Sequence, residues 1–126
     1  MKNVVRTADA PQAIGPYSQA IEANGFVFVS GQIPIDPKTG SLVGGGIREQ
    51  VKQVMENGKA VLAAAGCGMV HVVKTTIYLR NIGDFAAVNE VYGAYFPAEP
   101  PARATVEVSR LPKEAEVEID FIAVKG

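Results

Sequence analysis

The 126-residue chain has one cysteine, Cys67, and one histidine, His71. A single thiol cannot close an internal disulfide, so no disulfide framework holds the fold. With no secretory leader apparent, the expectation is a reducing, cytoplasmic setting. The same scarcity prevents one chain from building a His/Cys zinc cluster, and no metal is expected. A Ser-His-Asp triad would have to use His71, which opens the run His71-Val72-Val73-Lys74 and reads as a strand-edge or surface imidazole. Excess charge is lacking too. Twelve Lys+Arg against 13 Asp+Glu, a net charge of −1, give no bulk attraction to nucleic acid or an anionic membrane. Apolar runs stop short of membrane-spanning length, so a soluble protein is expected. Gly44-Gly45-Gly46 lacks the Lys and Ser/Thr of a P-loop and reads as a flexible connection.

What remains is a globular balance, 48% hydrophobic and 20% charged, in a chain long enough for one domain over residues 1–126. Ser18 to Ala23 alternates weakly. Asn24-Gly25 then suits a tight hairpin, because both positions tolerate positive φ. Phe26-Val27-Phe28-Val29 is apolar throughout, which predicts a strand buried on both faces. Pro34 to Gly46 reads as a loop. Ile47 to about Ala65 is the clearest helix, with Ile47, Val51, Val54, Met55, Gly58, Val61 and Leu62 on one stripe and Gly66 as its stop. The β-branched run Val72 to Leu79 predicts a strand. Asn81 to Asp84 is a turn, and Asp84 is expected to cap a second helix from Phe85 to Phe96, ended by Pro97, Pro100 and Pro101. Ala104 to Val108 and Val117 to Val124 are the last strands, joined through the Leu111-Pro112-Lys113 turn. The order predicts an α+β sandwich, a mixed sheet with two helices on one face. The other face also looks apolar or Thr-rich, so burial against further copies of the chain is expected.

Several residues sit oddly in this scheme. Asn89 shares a stripe with Phe85, Tyr92 and Phe96. A buried amide needs partners, and from the residues alone it is expected to bond a backbone group and shape the core. Arg103 lies at a strand entrance among small neighbours. Its planar fork suits a small carboxylate, although a plain surface arginine would read the same. Glu116, Glu118 and Asp120 alternate with Val117, Ile119 and Phe121, which puts three carboxylates on one face. Mutual repulsion would raise a pKa there and suit proton transfer. The alternative is a solvated edge face near Lys113 and Lys125. Tyr17, in Gly15-Pro16-Tyr17-Ser18, closes a pocket or merely packs. Gly31, in Ser30-Gly31-Gln32, admits a ligand close to the backbone or only turns the chain.

Taken in order, Gly15-Pro16-Tyr17-Ser18, Ser30-Gly31-Gln32, Val73-Lys74-Thr75-Thr76, Val88-Asn89, Pro101-Ala102-Arg103, Arg110-Leu111-Pro112-Lys113 and Glu116-Val117-Glu118-Ile119 resemble the RidA (Rid/YjgF) family over nearly the whole chain. The resemblance implies a chorismate-mutase-like fold and a homotrimer with sites between subunits. It implies hydrolysis of 2-imino acids, such as 2-iminopropanoate and 2-iminobutanoate, to 2-oxo acids and ammonia without cofactor or metal. Carried over, Arg103 would grip the substrate carboxylate and Glu118 would activate water. The backbone at Gly31 and Thr105 would position the imine. Ser30, Asn89 and Pro112 would line the pocket, and Tyr17 would reach across the subunit boundary. Many members carry a cysteine where Thr105 stands, so a thiol mechanism is excluded at this site. Ribonuclease activity, also attached to the family, fits poorly with balanced charge and a lone histidine. A non-catalytic binder of small carboxylates is the third reading, in which Glu118 is dispensable.

Overall fold

The computed structural model describes residues 1–126. Eight strands, β1 (Asn3–Val5), β2 (Ala20–Ala23), β3 (Phe26–Gln32), β4 (Ile35–Asp36), β5 (Ser41–Leu42), β6 (Val72–Leu79), β7 (Ala102–Glu107) and β8 (Val117–Val124), accompany two helices, α1 (Ile47–Ala64) and α2 (Phe85–Gly93). The principal sheet has six strands in the order β1-β2-β3-β8-β6-β7. All its neighbours are antiparallel except β6 and β7. A parallel pair cannot be closed by a tight turn and needs a crossover; α2 supplies it. The last strand, β8, inserts between β3 and β6 and so occupies the middle of the sheet. The small β4–β5 hairpin lies inside the segment expected to be loop, and β1 is a short edge strand that three residues of sequence could not signal.

Helix α1 follows its apolar stripe. Val51, Val54, Met55, Val61 and Leu62 are fully buried. At its start Glu49 Oε1 accepts from the Gly46 amide at 2.8 Å. At its end Gly66 adopts φ +82°, and the Gly66 and Cys67 amides donate back to Ala63 and Leu62 carbonyls at 3.0 and 2.8 Å. That is a Schellman closure, which glycine's left-handed φ permits. Gly58 is on the stripe because the Phe121 ring lies against it; a Cβ there would overlap the ring. Helix α2 ends at Gly93, before the proline cluster, and the chain continues in single turns to Phe96. Asp84 makes no side-chain cap; Asn81 Oδ1 instead accepts from the Gly83 amide at 2.8 Å and turns the chain into the helix.

Both helices cover one sheet face. Val27, Val29, Ile77, Ile119 and Phe121 join α1 and α2 residues in a single buried cluster. The strand expected to be buried on both faces is buried on one. Phe26 and Phe28 remain 41% and 45% exposed on the opposite face, beside exposed Val73, Val106 and Val124. No helix of the chain is long and apolar enough to cross a membrane.

Candidate active site

The pairing of β3 with β8 slips between Val29 and Gln32, so Ser30-Gly31 forms a bulge in mid-sheet. Bulges re-aim backbone near functional sites. Ser30 is held there, its hydroxyl donating to the Ser18 carbonyl at 2.6 Å and its amide to the Gln19 carbonyl at 3.0 Å. The Glu118 carboxyl packs directly on Gly31, and a Cβ at that position would overlap Glu118 Oε2. Glycine is what lets the Glu118 carboxyl close on this backbone, and a larger residue would push that side chain aside.

A cleft of about 590 Å³ opens over this contact. Tyr17, Ser30, Gly31, Pro112 and Glu118, all expected at the site, line it together with Gln12, Ile14, Ile33, Ile35 and Lys113. Its walls are fixed by amides that periodicity did not single out. Gln19, 3% exposed, accepts from the Thr7 amide at 2.8 Å and donates to the Thr7 and Pro11 carbonyls at 3.0 and 2.8 Å. It thereby shapes the loop carrying Gln12 and Ile14. Asn57 donates to the Ile33 and Ile35 carbonyls at 3.2 and 2.9 Å. Gln50 Oε1 accepts from the Glu116 amide at 3.0 Å and anchors the entry to β8. A buried amide inside an apolar helical stripe was the available signal for Asn57. Beside it, Lys113 and Glu114 adopt φ of +56° and +58°, a left-handed pair unusual for side-chain-bearing residues. This turn puts Pro112 and Lys113 on the cleft rim.

Burial, and secondarily the charge of Asp120, pushes the Glu118 carboxyl above the ordinary carboxylate range. Asp120 in turn accepts from the Tyr78 hydroxyl at 3.2 Å. Glu118 and Asp120 belong to a central strand rather than an edge, and Glu116 immediately precedes it; Lys113 does line the cleft with Glu118, whereas Lys125 pairs with Glu22 at 3.1 Å.

Arg103, Asn89 and Thr105 are not in this cleft. Arg103 pairs in register with Thr75, which is fully buried under the helices. Glu118 pairs with Tyr78, three residues further along β6 and on the other face. Within one chain the two groups therefore lie on opposite sides of the sheet. Asn89 bonds a side chain rather than backbone, its Oδ1 accepting from Arg103 Nη1 at 2.8 Å. Thr105 Oγ1 is buried without a partner. Replacing Thr105 by Val keeps the shape and removes the orphaned hydroxyl. The expected result is a gain of about 1 kcal/mol in stability, read by denaturant unfolding, with activity retained. His71 is structural, Nδ1 accepting from the Gly68 amide at 2.8 Å.

Residues 7–125 match the endoribonuclease L-PSP family. A RutC family protein of Pyrococcus horikoshii is 57% identical over 99% of each chain. The 2-iminobutanoate/2-iminopropanoate deaminase of Homo sapiens is 48% identical, over all of this chain and 92% of its own. The crystal structure of Escherichia coli TdcF with bound serine superposes with a TM-score of 0.94 at 40% identity, covering 98% of this chain and 99% of that one.

Proposed function

The chain belongs to the endoribonuclease L-PSP family, the Rid/YjgF or RutC proteins, and on that footing we propose that it hydrolyses small 2-imino acids to 2-oxo acids and ammonia. The observation that carries the reading is Glu118, a half-buried carboxyl with a raised pKa packed on Gly31 at the base of a cleft. A carboxyl held above its ordinary range by burial is suited to take and return protons. The human relative's name, and the serine held by the Escherichia coli relative, point to substrates of the same size and charge.

Arg103 fixes the substrate carboxylate and so orients the iminium carbon before attack. Glu118, ionised, takes a proton from water as its oxygen bonds that carbon, giving a carbinolamine. Glu118 then returns the proton to nitrogen. Glu118 takes the hydroxyl proton as the C–N bond breaks and that oxygen becomes the carbonyl, and ammonia leaves, carrying the proton away as ammonium. The peptide at Gly31, with Ser30, Tyr17 and Pro112, shapes the water side of the cleft. Asn89 and the strand at Thr105 support the arginine side. No step requires a thiol, metal or cofactor.

Because Arg103 and Glu118 face opposite sides of one sheet, we assign the complete site to two chains, one lending Arg103 and the other Glu118. A homotrimer with sites between subunits provides this, and its association would cover the apolar face of Phe26, Phe28, Val73, Val106 and Val124. Tyr17 borders the same cleft as Glu118, so in a shared site it would meet Arg103 across the subunit boundary. The buried free thiol of Cys67 accords with the cytoplasm.

The test is a competition assay. A threonine dehydratase generates the imine, semicarbazide traps it, and the protein competes with the trap. Native protein is expected to suppress trapping and the Arg103→Ala variant is not. Trapping undiminished by native protein would leave a carboxylate-binding regulator as the better reading.

A further inference from the structure

Arg103 stands between two aromatic rings of α2. Its Cζ is 5.4 Å from the Phe85 ring centroid and 5.2 Å from that of Tyr92, both within cation–π reach. Phe85, Asn89 and Tyr92 are spaced four and three residues apart, so one stripe of the helix offers ring, amide and ring in succession. Tyr92 is itself immobilised: it is 5% exposed and its hydroxyl shares a 2.7 Å hydrogen bond with Thr75 Oγ1. Thr75 is the strand partner of Arg103, so sheet and helix close on the guanidinium together.

The neutrality of this surround is its second feature. The chain's two ion pairs are Arg48–Glu90 and Lys125–Glu22, and no carboxylate pairs with Arg103. Asn89 takes one of the guanidinium's five donors. A partly buried cation held only by rings and an amide keeps its charge and most of its donors for an anion from outside the chain.

We infer that Phe85 and Tyr92 are positioning residues that clamp the Arg103 guanidinium, presenting its unbonded edge to the substrate carboxylate already oriented. The inference rests on the reading of Arg103 as the carboxylate-binding group. Arginine is rich in rotamers, and freezing it upon binding weakens affinity. A clamp removes that cost beforehand. The contact persists unchanged through the reaction, so its loss falls on KM rather than on kcat.

Phe85 is 39% exposed, and Phe85→Leu keeps apolar bulk while removing the π face. The measurements are kcat and KM for 2-iminobutanoate generated in situ, and Kd for 2-oxobutanoate by calorimetry. Phe85→Leu is expected to raise KM and Kd together by about three- to tenfold with kcat nearly native, and Phe85→Tyr to behave as native. Native KM and Kd in Phe85→Leu, beside lost binding in Arg103→Ala, would overturn the clamp and leave the deaminase reading standing. A fall in kcat at unchanged KM would also overturn it. Native 2-oxobutanoate affinity in Arg103→Ala would remove the premise, and the clamp with it.

Discussion

Mixed oligomers of Arg103→Ala and Glu118→Gln subunits are expected to recover imine hydrolysis that neither variant performs alone. Arg103→Ala leaves the substrate carboxylate without its charged partner, and kcat/KM is expected to fall by about a hundredfold or more. Glu118→Gln keeps the shape but has no proton to exchange, and a similar loss is expected. The strand register puts the two groups on opposite faces of one sheet, so the proposed site would draw Arg103 and Glu118 from different chains. In a ring of three subunits, any mixture of the two variants contains one site with both native groups. Random assembly at equal ratio should therefore restore about a quarter of native activity. The variants are refolded together, the oligomer composition is verified by mass spectrometry, and turnover is compared with separately refolded controls. Verified mixed oligomers without recovered activity would contradict the shared site.

Gly31→Ala is expected to be nearly as damaging as loss of Glu118 itself. An added Cβ would crowd Glu118 Oε2, and since the backbone at Gly31 is held in the sheet by its bonded bulge, the Glu118 side chain is the part that gives. The carboxyl must swing away from the cleft, and a group that moves by an ångström loses on the order of a hundredfold in rate. The pH profile separates displacement from unfolding. In the proposed mechanism Glu118 works ionised, so kcat/KM is expected to fall on acidification through a pKa lying above the ordinary carboxylate range. Burial is the first cause of that elevation and Asp120 the second. Asp120→Asn removes the like charge, which makes ionisation easier and moves the acid limb to lower pH. Glu118→Gln abolishes the limb. The stability consequence has the opposite sense to activity. A carboxyl whose folded pKa is raised binds protons more tightly in the native state, so ionising it destabilises the fold as pH rises. Glu118→Gln is accordingly expected to be more stable than native protein at neutral pH. An acid limb unmoved by Asp120→Asn would remove Glu118 as the titrating group.

How far the sequence carried the fold depends on the range of the interaction. Helix α1 and strands β6 and β8 were legible because a 3.6-residue or two-residue apolar period reports a local choice of which side faces the core. Gly66 was legible as a stop because a left-handed residue after a helix calls for glycine. The early end of α2, the idle Asp84 and the short β1 were not, since the first two turn on competing local turns and the third on pairing with β2. Asn89 was recognised as out of place but assigned the wrong partner. Its partner is 14 residues away on another element, and no periodicity encodes that.

The site divides along the same line. Alternation alone put Glu118 and Asp120 on one face and the core residues of β8 on the other, and the ordered motifs alone carried the family. The central place of β8, the bulge that brings Gly31 under Glu118, and the amides of Gln19, Asn57 and Gln50 that set the cleft walls were decided by tertiary structure. So was the separation of Arg103 from Glu118, because which face a residue takes is local, whereas which faces meet depends on strand order and on pairing between distant segments.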